Sequence, residues 1–313
     1  MNKRILSFFG LIAFLSAAVI FAVYFPRIDS QASLIIWQLR MPRIFLAFLV
    51  GAGLSCCGVV FQAMLRNALA EPYTLGVSSG AALGAALAIM FNLGIFFITA
   101  SSFLGSLITI LVLYVIASRK HFDNNTMILA GVALSLLFSS LVLLVFAVAR
   151  KEGVHSAIIW LMGDLSSARP EVIKAAAFFI LSGIALLIAF GRDLDIICLG
   201  DEKAGHLGLN VILTKRVLFV VASLITGAAI SAAGIIGFVG LIIPHIARFL
   251  FGTNHRRLLI TSSILGAAFL IICDTVSRTI ILPLELPVGV VTGICGGLFF
   301  LGLLIKAKRW SSL

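Results

Sequence analysis

Long apolar runs, punctuated by single or paired basic residues, follow one another from end to end of the chain. The longest charge-free stretch holds the 47 residues between Glu71 and Arg119. An α-helix needs about 20 apolar residues to cross the ~30 Å hydrocarbon layer of a bilayer. That stretch therefore holds two spans, divided at the turn signal Asn92-Leu93-Gly94. The runs are continuous rather than alternating, so they predict helices and not the strands of a barrel. The same reading predicts ten segments, at 5–25, 44–65, 73–91, 95–118, 126–149, 171–191, 214–234, 239–251, 258–281 and 288–306. The charge-free run from Val217 to Ala247 is too long for one upright span. Gly234, Gly237 and Pro244 predict a break there, with a short eighth helix after it. The fold class expected is all-α: one polytopic membrane helix bundle of about ten transmembrane helices over 1–313.

Composition excludes a soluble domain. The chain is 61% hydrophobic and 11% charged, against roughly 45–50% and about 25% in soluble proteins. A net charge of +11 could point to nucleic acid, but the basic residues sit at the ends of apolar runs, as cytoplasmic anchors do. No nucleic-acid partner is expected. With the N-terminus inside, 15 of the 23 Lys and Arg fall on the cytoplasmic side, among them Lys3, Arg4, Lys306, Lys308 and Arg309. The remaining 8, among them Arg27, Arg40, Arg43 and Arg278, fall outside. That excess predicts a multi-pass protein of the cytoplasmic (inner) membrane with both termini inside. The apolar run from Ile5 to Phe25 exceeds the ~7–15 residues of a signal-peptide core and reads as an uncleaved first span.

Small residues recur at helical spacing, at Gly76, Gly80 and Gly84 and again at Gly289, Gly293 and Gly297. Such ladders let helices approach closely in lipid. They fit packing within one subunit or a seam between two. Two polar loops exceed connector length. The outer one, Arg150 to Pro170, holds an amphipathic stretch, Ser156 to Gly163, suited to a short interfacial helix. The inner one, 192–214, is half apolar and concentrates four of the chain's twelve acidic residues, Asp193, Asp195, Asp201 and Glu202. Its apolar side must be buried against a partner or against the membrane domain itself.

Candidate chemistry is sparse. No Gly-x-x-x-x-Gly-Lys-Ser/Thr loop is present to cradle nucleotide phosphates, and no His-Glu-x-x-His pair to bind zinc. The five histidines are scattered, and the five cysteines read as small buried hydrophobes without a Cys-x-x-Cys pair. No metal, cofactor or catalytic site is expected, so the chain reads as a non-enzyme. If the chain pumps, its energy comes from elsewhere.

Several segments carry a specific resemblance. They are Trp37-Gln38-Leu39-Arg40-Met41-Pro42-Arg43, then Gly58 through Gly80 with Asn67-Ala68-Leu69-Ala70-Glu71-Pro72 at its centre, and Trp160-Leu161-Met162-Gly163. Further along come Leu199-Gly200-Asp201-Glu202 through Leu207-Gly208, Gly237 through Arg248, and Glu285-Leu286-Pro287-Val288-Gly289. Together they resemble, in order and over nearly the whole chain, the FecCD family of ABC importer permeases. Members of that family move ferric siderophores, haem and cobalamin. One departure is Ala68, where the family usually has Pro.

The resemblance implies a type II ABC importer permease fold and a homodimer of ten-helix subunits. Two cytoplasmic ATP-binding subunits would dock beneath it and an extracytoplasmic substrate-binding protein above it. It assigns Arg40, Arg43 and Arg278 to docking of the binding protein's acidic residues, for which the guanidinium fork is suited. Interfacial snorkelling is the alternative for Arg40 and Arg43. Asp274, four residues before Arg278, is a candidate internal partner for it. Leu199, Gly200, Asp201, Glu202, Ala204, Leu207 and Gly208 match the element that couples to the ATPase. Asn67 and Leu69, with Thr126, match the cytoplasmic gate, and the helix around Ser156–Leu161 is a candidate outer gate. Ferric siderophore is the default cargo. The competing reading is an ion-coupled secondary transporter working through Asp274; a membrane enzyme would need a clustered catalytic set that the chain lacks.

Overall fold

The structure, a computed structural model, describes residues 3–25, 36–166 and 168–306. Arg27, Lys308 and Arg309, which entered the anchor pattern above, lie outside the described residues. Thirteen α-helices and no strand occur among the described residues. They are α1 (Lys3–Tyr24), α2 (Met41–Met64), α3 (Val77–Met90), α4 (Ile95–Arg119), α5 (Asn124–Val148), α6 (Lys151–Leu161) and α7 (Pro170–Ala189), followed by α8 (Gly191–Ile197), α9 (Asp201–His206), α10 (Val211–Ala233), α11 (Val239–Phe251), α12 (His255–Thr279) and α13 (Val288–Lys306). A π-helical turn, Ile36–Arg40, leads into α2, and a 3-10 turn, Pro72–Leu75, precedes α3.

Each of the ten predicted segments carries one helix, but their lengths differ. Six are long and apolar enough to cross a membrane: α2 with its leading turn, α4, α5, α7, α10 and α12. The apolar parts of α1, α3, α11 and α13 are shorter. At 1.5 Å per residue, the 14 and 13 residues of α3 and α11 rise about 20 Å, less than the hydrocarbon thickness. The expected break is in place. α10 ends at Ala233, Gly234 follows at φ +70°, and Phe238 at φ +68° starts α11. A Cβ on Gly234 would overlap the Trp160 carbonyl oxygen, so the close approach of α6 requires glycine there.

α2 threads the centre. Its most apolar 18-residue window is 89% buried, that of α10 72% and that of α12 61%, whereas α4, α5 and α7 lie between 17% and 22%. The long helices thus form an inner group, α2, α10 and α12, and an outer group, α4, α5 and α7. The outer group exposes Leu129, Leu136, Leu143 and Leu144 on α5 alone. A bilayer accepts such a face at no cost, whereas water would not. Because lipid is as apolar as leucine, close packing must hold the helices together. Gly58 meets the Gly240 carbonyl, Gly51 meets that of Gly266, and Gly84 meets that of Ser101. A Cβ at any of the three would overlap the facing main chain. The first glycine ladder is therefore intramolecular: Gly80 and Gly84 seat α3 on α4. The second is split. Gly289 abuts the Met162 carbonyl, while Gly293 and Gly297 face open space.

Candidate functional site

The segment 192–214 folds as two short helices, α8 and α9, on either side of Gly200. Gly200 has φ +107°, a conformation that side-chain-bearing residues rarely adopt, so the joint needs glycine. Asp201 and Glu202 occupy the first turn of α9, where the helix dipole favours negative charge. Leu194, Ile197 and Ala204 turn inward and are buried in the chain itself. Leu199, Leu207, Glu202 and Gly208 remain exposed. Part of the segment's apolar side is thus covered by its own bundle, and a separate outward face is left.

The two halves are anchored to different helices. In α8, Asp195 Oδ1 accepts from the main-chain N–H of His255 at 3.0 Å and lies 2.6 Å from its Nδ1. Asn254 Nδ2 donates to Asp195 Oδ2 at 3.3 Å. These contacts fix α8 to the start of α12. Between the halves, the Cys198 thiol lies 3.9 Å from His255 Nε2, and burial raises its pKa. In α9, Asp201 Oδ2 accepts from Lys215 Nζ at 2.5 Å. Lys215 stands one turn into α10, and its side chain is 0% exposed. Its other two contacts are Asn124 Oδ1 at 2.9 Å and the Phe122 carbonyl at 3.5 Å. Three acceptors match the three donors of an ammonium, which satisfies the buried charge. Asp201 Oδ1 lies 3.9 Å from Arg66 NH2.

Arg66 leads directly into the predicted gate residues. Asn67 Oδ1 accepts from the Leu69 N–H at 2.9 Å, and Ala70 N–H donates to the Asn67 carbonyl at 3.0 Å. This side-chain turn closes the loop without the proline that Ala68 replaces. Both Asn67 and Leu69 are exposed. Thr126 lies on the first turn of α5, capped by Asp123, whose Oδ2 accepts from the Thr126 N–H at 2.9 Å and hydroxyl at 3.0 Å. Those bonds, the main-chain one first, hold the Asp123 carboxyl below its usual range. The Asp201–Lys215 pair joins Arg66, next to Asn67, with Asn124, two residues before Thr126.

The three predicted docking arginines lie near one another but make internal contacts. Arg43 Nε donates to Asp274 Oδ1 at 2.8 Å, and its NH1 to Glu285 Oε2 at 2.7 Å. Arg278 Nε sits 3.3 Å from Asp274 Oδ2, and its NH2 donates to the Ala22 carbonyl at 3.3 Å. Arg40 NH1 donates to the carbonyls of Val23 and Phe25, at 2.5 and 3.3 Å, closing the end of α1. The Asp274 side chain is only 2% exposed and that of Arg43 11%. The expected Asp274–Arg278 pair is present, and Arg43 joins it.

Sequence reasoning missed Lys215, Asn124 and Arg66 as members of the inner cluster, and His255 as the anchor of Asp195. The signal for Lys215 was available. A lysine inside an apolar helix must find a carboxylate, and Asp201 precedes it by 14 residues. No metal-holding group of three His, Cys, Asp or Glu occurs among the described residues.

Comparison with known proteins follows the same outline. A cobalamin import system permease protein, BtuC, of Halobacterium salinarum is 40% identical over 279 residues, covering 88% of this chain and 75% of that protein. The hemin transport system permease protein HmuU of Yersinia pestis is 34% identical over 284 residues, covering 88% and 85%. A metal-chelate-type ABC transporter solved in an inward-facing conformation superposes with a TM-score of 0.88 at 31% identity, covering 96% of this chain and 98% of that one. The family model for the FecCD transport family matches residues 4–306, and the chain belongs to that family.

Proposed function

We propose that this chain is the channel-forming permease subunit of an ABC importer that carries an iron chelate, haem or cobalamin across the cytoplasmic membrane. Membership of the FecCD transport family and the permease relatives support that reading. In the working assembly, 1–313 forms one transmembrane permease domain of ten spans, with both termini and the segment 192–214 in the cytoplasm. Two copies enclose the path, two ATP-binding subunits dock beneath, and a substrate-binding protein docks above. ATP hydrolysis belongs to the docked subunits. Ferric siderophore is the first cargo to test.

The observation that carries this reading is the two-helix element with its outward face. Leu199, Glu202, Leu207 and Gly208 are exposed, while Ala204 is buried beneath them. An apolar pair flanked by charge suits a cleft on another protein. Asn67, Leu69 and Thr126 form the cytoplasmic gate, and α6 the outer one. Arg40, Arg43 and Arg278 form the binding-protein end, where a docking carboxylate would compete with the exposed Glu285 for Arg43. Asp274, the ion site that a secondary carrier would need, is already engaged by Arg43 and Arg278, which favours the ATP-driven reading.

Glu202→Lys with Leu207→Asp tests the docking face. Both residues are exposed, so the bundle should fold while co-purification of the ATP-binding subunit is lost. Undiminished co-purification would overturn this seat for the ATPase. Binding assays on the companion substrate-binding protein, with ferric siderophores, haem and cobalamin as probes, would identify the cargo.

A further inference from the structure

We infer that Asp201 works inward: with Lys215 it forms a tie-rod that transmits movement of α9 to both gate-bearing segments. This rests on α9 being part of the ATPase seat, as proposed above. Lys215 is a positioning residue that touches neither cargo nor ATPase, because no part of its side chain reaches the surface.

The argument starts from the cost of burying an ammonium. Lys215 is held in the interior by one carboxylate and two neutral oxygens, of Asn124 and Phe122. Moving Asp201 away would leave the ammonium, on a side chain that is 0% exposed, with only those neutral oxygens, at high cost. Asp201 and Lys215 therefore move together. Asn124 is the first residue of α5, so the start of that helix follows them. On the other side, Asp201 Oδ1 faces Arg66, whose φ of +49° places it in the sharp turn that opens the Asn67–Leu69 loop. Gly200 reinforces the contact, since a Cβ there would lie 3.2 Å from Arg66 NH1.

The joint at Gly200 makes this contact directional. α8 is fixed to α12 through Asp195 and His255, within the inner group of helices. Displacement of the segment is thus taken up at Gly200 and reaches α9. From α9 it has two routes, Lys215 to Asn124 and Arg66 to Asn67. Glu202, next to Asp201 but exposed, has no such inward contact and belongs to the docking face.

The test uses the permease assembled with its ATP-binding subunit in lipid nanodiscs. A single reporter cysteine at exposed Ala68, in a background with Cys198→Ser and Cys295→Ser, reads gate-loop accessibility to a soluble maleimide. Trapping with ATP and vanadate should change the parent's labelling rate by about fivefold or more, the range of a typical coupling. Lys215→Met should abolish that change while ATP hydrolysis and co-purification persist. Asp201→Asn should match it, the double variant should be no worse, and Lys215→Arg should restore the response. A full labelling response in Lys215→Met, or additive losses in the double variant, would overturn the tie-rod. If Lys215→Met fails to assemble, Asn124→Leu gives the decision: an unchanged labelling response there refutes the route into α5. Failure of the docking reading looks different, because Glu202→Lys with Leu207→Asp would then retain the ATPase whatever Lys215→Met does.

Discussion

At each end of α2, about 36 Å apart by its 24 residues, a carboxylate meets two basic side chains, and the surroundings of the two clusters differ. At the start of α2, Asp274 is 2% exposed and lies between Arg43 and Arg278. All three stand on long helices of the inner group, and Arg278 also grips the end of α1. Just past the other end, Asp201 is 42% exposed and sits on the six-residue α9, opposite the buried Lys215 and the half-exposed Arg66. The first cluster locks elements that are already packed against one another. The second joins a small surface element to the bundle beneath. The same residue types thus make a clasp where every neighbour is buried and a joint where one neighbour can move.

The largest expected effect breaks the clasp. Asp274→Asn leaves the two guanidiniums only the exposed rim carboxylate of Glu285, which already bonds Arg43 at 2.7 Å. Removing one member of a buried ion pair costs about 3–5 kcal/mol. Asp201→Asn should cost less, because the amide oxygen that replaces the carboxylate can still accept from Lys215 Nζ and the Asp201 side of the pair is 42% exposed. Thermal unfolding of both variants in detergent should show a large drop in Tm for the first and a small one for the second. Equal drops would erase the distinction between clasp and joint.

A third carboxylate, Glu71, sharpens the comparison because it has no cation. Its Oε2 is shut off from solvent without a hydrogen-bond donor. Burial pushes its pKa up from 4.5 to about 7, against a smaller opposing pull from a main-chain hydrogen bond at Phe238. Between those two values the native state holds a proton that the unfolded chain has lost. Stability therefore falls as pH rises from about 4.5 to 7 and levels off above. A shift of that size corresponds to about 3 kcal/mol. Glu71→Gln should flatten the dependence of Tm on pH and raise Tm at pH 8. A wild-type slope in that variant would remove Glu71 as its source.

How far these features are legible in the sequence depends on their range. Helix positions follow from local hydrophobic runs, so all ten segments and the break at Gly234 could be read directly. The lengths of α3 and α11 could not, since a charge-free run does not show where a helix stops inside it. The Asp274–Arg278 pair was legible because four residues on a helix bring side chains together. The contact of Arg43 with Asp274 spans 231 residues, and nothing local marks it. Arg40, Arg43 and Arg278 were expected at the outer end, yet their burial and internal partners arise only from how α1, α2 and α12 pack. Asp201 and Lys215 were each visible, but as an acidic loop residue and a basic anchor. Only the fold of α8 and α9 makes them a pair.

Packing gives a smaller contrast of the same kind. Gly58 lies against the Gly240 carbonyl, whereas Gly297 faces open space. Gly58→Ala should force α2 and α11 apart at a cost of about 1–3 kcal/mol. Gly297→Ala should leave the Tm of the isolated chain unchanged or slightly raised, since alanine favours helix. A loss at Gly297 as large as that at Gly58 would show that the open face is covered in the particle measured.

The smallest effect separates the clasp from its rim. Glu285 bonds Arg43 at 2.7 Å, shorter than the 2.8 Å from Arg43 to Asp274, yet its side chain is 53% exposed. Distance alone would rank it the stronger partner; solvent reverses the order. Exposed pairs contribute about 0–1 kcal/mol and weaken with salt. Glu285→Gln should therefore lower Tm slightly at low ionic strength and by less in 0.5 M salt, where the Debye length has shrunk to about 4 Å from about 10 Å at 0.1 M. If Glu285→Gln instead lowers stability as much as Asp274→Asn, and salt leaves the loss unchanged, then the rim residue is part of the clasp, and Arg43 is held from both sides with no valence left for a docking carboxylate.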